Sequence, residues 1–190
     1  MLDRLLELDT ELFLYLNGLG STTWDWMWLL ITDEITFAPL YAILLFLIYK
    51  KFGLKPLVIM ILVIVAMITF TDQTTNVVKR SVLRFRPCAC DDIMDMIRYI
   101  AERCSTNRSF FSGHASNSMA AAVFGGLVLR PYHRKLIFIL LFWSFIVAYS
   151  RIYVGVHYPV DILCGMTFGA LAGFGFYKLN TYLLKRFISE

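Results

Sequence analysis

Residues 54–86 read LKPLVIMILVIVAMITFTDQTTNVVKRSVLRFR, and the fold turns on this stretch. From Leu54 to Val78 it carries a single acid, Asp72, and at helical rise twenty-five residues extend about 37 Å. That exceeds the roughly 30 Å of hydrocarbon in a bilayer. The basic cluster from Lys79 to Arg86 therefore emerges at one membrane face. Alone, such a cluster grips lipid phosphates by snorkelling; a catalytic reading needs other polar residues to converge on it.

The rest of the chain repeats the pattern. Ile35–Tyr49, His114–Leu129, Leu136–Ser150 and Pro159–Tyr177 are further spans, so the expectation is an all-α integral membrane bundle of about five to six transmembrane helices. Gly165, Gly169 and Gly173 recur every fourth residue, which permits close approach to a neighbouring helix. Asp3–Asn17 sets Leu5, Leu8, Leu12 and Leu16 on one stripe and Asp3, Glu7 and Glu11 on another, an amphipathic helix at the interface or against the bundle. Trp24, Trp26 and Trp28 follow as interfacial aromatics. The start lacks the basic n-region and uninterrupted apolar h-region of a cleavable signal. No repeat is visible, and residues 1–190 read as one domain, with 1–34 an interfacial segment and 79–161 the motif-bearing region.

Composition agrees: 58% of the 190 residues are hydrophobic and only 17% charged, with a mean hydropathy of +0.65, which excludes disorder and most soluble folds. The net charge of +4 reflects topology. Nine of the 18 Lys+Arg lie at Lys50, Lys51, Lys55, Arg130, Arg134, Lys135, Lys178, Lys185 and Arg186, on one side of a five-span bundle. The positive-inside rule makes that side cytoplasmic. The N-terminus, the loop from Lys79 to Gly113 and the turn from Arg151 to Tyr158 then face outward, and no nucleic acid is implied.

The unusual polar residues collect on that outer face. Ser112-Gly113-His114 opens a span, and amides at a helix N-terminus bind phosphate oxygens; an N-cap serine beside a satisfied histidine is the bland alternative. His157 and Asp161, four apart, share a helix face, where a carboxylate orients an imidazole and frees its other nitrogen as nucleophile. Lysine and arginines around two histidines, without carboxylates or cysteines at metal-ligand spacing, describe a phosphate site needing no metal or other cofactor. Cys90-Asp91-Asp92 with Asp95 fits no standard metal spacing.

Lys79 with Arg86-Pro87, then Ser112-Gly113-His114, then Ser150-Arg151 with His157 and Asp161 resemble, in order, the three signature motifs of the type 2 phosphatidic acid phosphatase (PAP2) superfamily. The resemblance implies His157 as nucleophile forming a phosphohistidine, Asp161 as its orienter, and His114 as the acid protonating the leaving oxygen. Lys79, Arg86, Arg151, Ser112 and the Gly113 amide would hold the phosphoryl oxygens, with Arg84 a further candidate. Phe111 stands where the family usually has proline. The N-terminal segment, with Asp9, Leu12, Phe13 and Asn17-Gly18, resembles small bacterial members acting on undecaprenyl pyrophosphate. This makes that lipid the first expected substrate, at the outer face of the bacterial inner membrane. Phosphatidylglycerophosphate, phosphatidic acid and lipid A are alternatives, as are phosphotransfer and a non-catalytic lipid-binding or transport role.

Three cysteines fall in the outward, oxidising loop, so Cys88 or Cys90 is expected to bridge to Cys104. Asp72 is read either as the partner of an active-site base or as a hydrogen-bond partner of a neighbouring helix. Substrate specificity is expected in Asp91–Arg108 and in lateral openings between helices.

Overall fold

A computed structural model describes residues 2–101, 104 and 108–188 of the chain. Among them the α-helices are α1 (Leu2–Gly18), α2 (Asp25–Thr32), α3 (Ala38–Phe52), α4 (Leu54–Val82), α5 (Gly113–Leu129), α6 (Leu136–Tyr153) and α7 (Pro159–Phe187). Four segments are long and apolar enough to cross a membrane: α4, α6, α7, and α3 with the 3-10 turn Glu34–Phe37 that leads into it. α5 is the fifth expected span. Its 17 residues rise about 26 Å, and it runs through the middle of the bundle with most of its side chains buried.

The helix ends follow local chemistry. α3 closes with Lys50 and Lys51 in its last turn, where cations suit the negative end of the helix dipole. It then reverses into α4 at Gly53, whose φ of 82° suits glycine. α4 runs four residues beyond the expected Val78 and α7 ten beyond the expected Tyr177, because no proline or glycine breaks either one there.

Packing separates a lipid face from a core face. On α4, Met60, Val63, Met67, Thr71 and Thr75 recur at three- and four-residue intervals and are buried, while Val58, Leu62 and Val65 are exposed. Phe138, Phe142 and Phe145 on α6 and Leu163, Leu171 and Phe174 on α7 are likewise exposed, as a hydrocarbon solvent requires. α5 and α7 pack backbone to backbone along the glycine stripe. A Cβ on Gly165 would lie 2.5 Å from the Ser112 carbonyl oxygen, and one on Gly173 would lie 2.6 Å from that of Ala120.

The N-terminal segment is built into the bundle. Asn17, at the end of α1, donates from Nδ2 to the carbonyls of Arg98, Ile152 and Tyr153 and accepts the Arg98 N–H. Of the three tryptophans expected at the interface, Trp24 and Trp26 are exposed, but Trp28 stacks on Tyr153 with ring centroids 4.9 Å apart. It packs on protein because α2 lies against α6. Cys88 bridges to Cys104, while Cys90 and Cys164 are free thiols. Residues 102, 103 and 105–107 of the loop expected to carry specificity lie outside the described residues.

Candidate active site

The candidate site residues lie at the end of α4 and the loop after it, the start of α5, the end of α6 with the turn that follows it, and the start of α7. Pro87 holds the residue before it extended, and Arg86 has φ −74° and ψ 154°. Ser112 caps α5 by accepting the Ala115 N–H at 3.4 Å, and its own N–H donates to the Asp161 carbonyl at 3.1 Å. The capping reading of Ser112 is therefore realised, and it ties α5 to α7. Gly113 and His114 occupy the first turn of α5, where backbone N–H groups have no intrahelical acceptor.

His157 sits in the turn between α6 and α7. Gly155, at φ 83°, lies so close to the Arg98 carbonyl that a Cβ would be 2.9 Å from that oxygen. The Arg151 carbonyl accepts both the Val156 and His157 N–H groups, at 3.1 and 3.3 Å. This wrapping returns the imidazole to the bundle axis, where it is 2% exposed.

His157 Nδ1 lies 3.4 Å from Asp161 Oδ2 and 3.3 Å from Ser109 Oγ. The same carboxylate oxygen accepts the Ser109 hydroxyl and, at 3.0 Å, the Tyr158 N–H. A carboxylate at Nδ1 selects the tautomer that carries its proton there and leaves the Nε2 lone pair free. Burial pushes the His157 imidazole down to about 4; the Asp161 hydrogen bond and charge oppose that shift, and Arg86 and Arg151 add to it.

Lys79, Arg86, Arg151, His114 and His157 stand close enough to act on one another electrostatically. Among the described residues, none of Lys79, Arg86 and Arg151 is ion-paired with a carboxylate. Among the described residues the buried Nε atoms of Arg86 and Arg151 have no acceptor, and Arg151 donates from Nη1 to Thr32 Oγ1. Unpaired guanidiniums that have lost water need an anion to complete their hydrogen bonds. His114 Nε2 faces Glu34 at 3.3 Å.

Arg84 differs from the other basic candidates in having carboxylate partners. A candidate phosphate contact in the sequence, it has Nη1 2.8 Å from Asp161 Oδ1 and Nη2 2.7 Å from Asp9 Oδ2. Its guanidinium also stacks over the Tyr158 ring at 3.8 Å. Asp72 resolves toward its bland reading, accepting from Asn117 Nδ2 at 2.7 Å. Ser109, Asp9, Thr32 and Glu34 also contact these groups, and the sequence pattern gives none of them a role. A serine three residues before Ser112 and acids in an N-terminal helix carry no spacing signal of their own.

Beneath His114 a largely apolar cavity of about 320 Å³ opens between α3, α4, α5 and α6. Thr32, Glu34 and His114 lie among its polar residues, and Leu45, Met67, Ala121 and Val147 among its apolar ones.

The PAP2 superfamily sequence model matches residues 54–185, the stretch that carries the three motifs. The lipid A 4'-phosphatase of Bacteroides thetaiotaomicron is 32% identical over 192 residues, covering 100% of this chain and 84% of that protein. The undecaprenyl-diphosphatase BcrC of Bacillus subtilis is 29% identical over 54% of this chain and 48% of its own length. The crystal structure of a transmembrane PAP2 type phosphatidylglycerolphosphate phosphatase from Bacillus subtilis shares the fold, with a TM-score of 0.75 over 97% of this chain and 89% of that one at 21% identity. Motifs, helical layout and family match agree: this chain belongs to the PAP2 superfamily and is a multi-pass membrane lipid phosphatase.

Proposed function

We propose that the protein removes a phosphate from an acylated membrane lipid of the lipid A type, at the outer face of the bacterial inner membrane, through a phosphohistidine on His157. The observation that carries this reading is the convergence on a buried imidazole of three cations that, among the described residues, have no carboxylate partner, beside a second histidine, His114, that lines an apolar cavity. The cations suit a phosphate and the cavity suits a hydrocarbon tail.

In the first step the His157 Nε2 lone pair forms an N–P bond as the bond from phosphorus to the lipid oxygen breaks. His114 gives its proton to that departing oxygen. The imidazole gains positive charge, which Asp161 offsets through the Nδ1 proton. Lys79, Arg86, Arg151 and the Gly113 amide meet the equatorial oxygens, where phosphoryl transfer needs positive charge. In the second step water attacks phosphorus, its proton passes to His114, and the N–P bond breaks to return neutral His157.

Likeness to the lipid A 4'-phosphatase runs through the whole chain, N-terminal helix included. Likeness to the undecaprenyl-diphosphatase covers about half. This ranks an acylated glycolipid ahead of undecaprenyl pyrophosphate, reversing the order suggested by the N-terminal segment, and keeps the pyrophosphate as the second reading.

The test is phosphate release by the detergent-purified protein from lipid A, undecaprenyl pyrophosphate, phosphatidylglycerophosphate and phosphatidic acid, with His157→Ala alongside. The highest kcat/KM is expected on lipid A. A preference for the pyrophosphate would install the second reading, release from none would overturn the catalytic one, and mass spectrometry of acceptor lipids separates transfer from hydrolysis. Outward orientation predicts that a membrane-impermeant thiol reagent labels Cys90 in intact cells; protection there with labelling in inverted membranes would reverse the topology.

A further inference from the structure

Asp9 sits on α1, far in sequence from every motif, and its side chain is 1% exposed. Its Oδ1 accepts the Val160 N–H at 2.9 Å, in the first turn of α7. Its Oδ2 takes the Arg84 Nη2 donor at 2.7 Å. The other end of the same guanidinium reaches Asp161 Oδ1 at 2.8 Å, and the plane rests on the Tyr158 ring. The two oxygens of Asp161 thus divide their partners: Oδ1 faces Arg84, while Oδ2 faces His157, Ser109 and the Tyr158 amide.

A buried acid without a partner is costly, so a structural role for Asp9 would need only one donor. Asp9 has two, and one of them is shared with the carboxylate that orients His157. Two acids share one guanidinium. Were Asp9 uncharged, Arg84 would bear on Asp161 alone and draw off the negative charge that supports the Nδ1 proton of His157.

We propose that Asp9, acting through Arg84, is a positioning residue for the reacting imidazole. The pair fixes Asp161 Oδ2 toward His157 and keeps that carboxylate only partly neutralised, so α1 belongs to the machinery of the site. The proposal rests on the reading of His157 as nucleophile.

The test compares wild type with Asp9→Asn, Arg84→Met, the double variant and His157→Ala. Two measurements are made: steady-state kinetics on lipid A in detergent micelles, and the Nδ1–H resonance of His157 in 15N-histidine-labelled protein, assigned by its absence in His157→Ala. Asp9→Asn is expected to lower kcat by about 10-fold to 100-fold, by analogy with the range seen when the outer partner of a metal-ligating histidine is removed, with KM within about twofold. It should also shift the Nδ1–H resonance. The double variant should fall little below Arg84→Met, because residues acting through one chain are not additive. If Asp9→Asn is folded with unchanged kcat and an unmoved resonance, or if the two losses add in full, the bridge is only structural and the proposal fails. Wild-type turnover in His157→Ala would instead overturn the nucleophile assignment. Should wild type act on no lipid, the resonance still decides whether Asp9 governs the imidazole.

Discussion

His157 and Asp161 meet Nδ1 to Oδ2 at 3.4 Å, one helical turn apart across the start of α7, with the Ser109 hydroxyl bridging both. The geometry leaves Nε2 as the free nitrogen, and burial pushes the imidazole down to about 4 from its ordinary 6.5. Above the lowered value the ring is neutral and nucleophilic; below it Nε2 is protonated and cannot attack. The acid limb of phosphoenzyme formation is therefore expected near pH 4, measured by rapid quench between pH 3.5 and 8. A limb from this group at the ordinary value would contradict the assignment.

The two histidines separate by leaving group. His157→Ala should abolish the acid-labile phosphoenzyme with every substrate. His114→Ala should slow lipid phosphates by about 10²-fold to 10⁴-fold, the usual worth of a positioned acid, but slow p-nitrophenyl phosphate much less, because its leaving oxygen needs no proton. Equal losses on both substrates would remove His114 from the acid role.

Gly165→Ala and Gly173→Ala both drive a methyl into a carbonyl of α5, at 2.5 Å from Ser112 and 2.6 Å from Ala120. Each should cost about 1–3 kcal/mol of stability through overpacking, read as a lower unfolding midpoint in detergent. Gly165→Ala should lose more activity, since the carbonyl it displaces belongs to Ser112. Gly175, with open space around it, provides the neutral control.

Filling the cavity should discriminate between substrates. Ala121→Phe places a ring in the apolar space of about 320 Å³ below His114. It is expected to raise KM for lipid phosphates while leaving p-nitrophenyl phosphate hydrolysis intact. Unchanged lipid kinetics would mean that the tail lies elsewhere.

The Cys88–Cys104 bridge spans a sequence separation of 16. Opening it by Cys88→Ala with Cys104→Ala should cost about 3 kcal/mol on the chain-entropy account. Alkylation of denatured, unreduced protein should count two thiols, and four after reduction.

The spans and the three motifs were legible in the sequence because each depends on neighbouring residues: an apolar run, an arginine before proline, a histidine four before an aspartate. What escaped depends on contacts between distant segments. Arg84 stands two residues from Arg86, which suggests a phosphate contact, and nothing near it in sequence announces that it meets acids 75 and 77 positions away. Ser109 precedes its motif with no signature of its own. Asp9 lies 151 residues from the amide it accepts. The bridge partner of Cys104 stayed open between Cys88 and Cys90 because two cysteines two residues apart offer equal spacing.

The glycine contacts between α5 and α7 also divide the site mechanically. Ser112, Gly113 and His114 stand on one of these helices and Asp161 on the other, with His157 just ahead of it, and backbones touching through Gly165, Gly169 and Gly173 leave no slack for one to slide on the other. The groups proposed to react on these helices thus form a fixed jaw. On this reading the motion that admits a lipid comes from the cavity wall formed by α3 and α4, whose larger side chains can change rotamer, so access and chemistry are assigned to different faces of the same bundle.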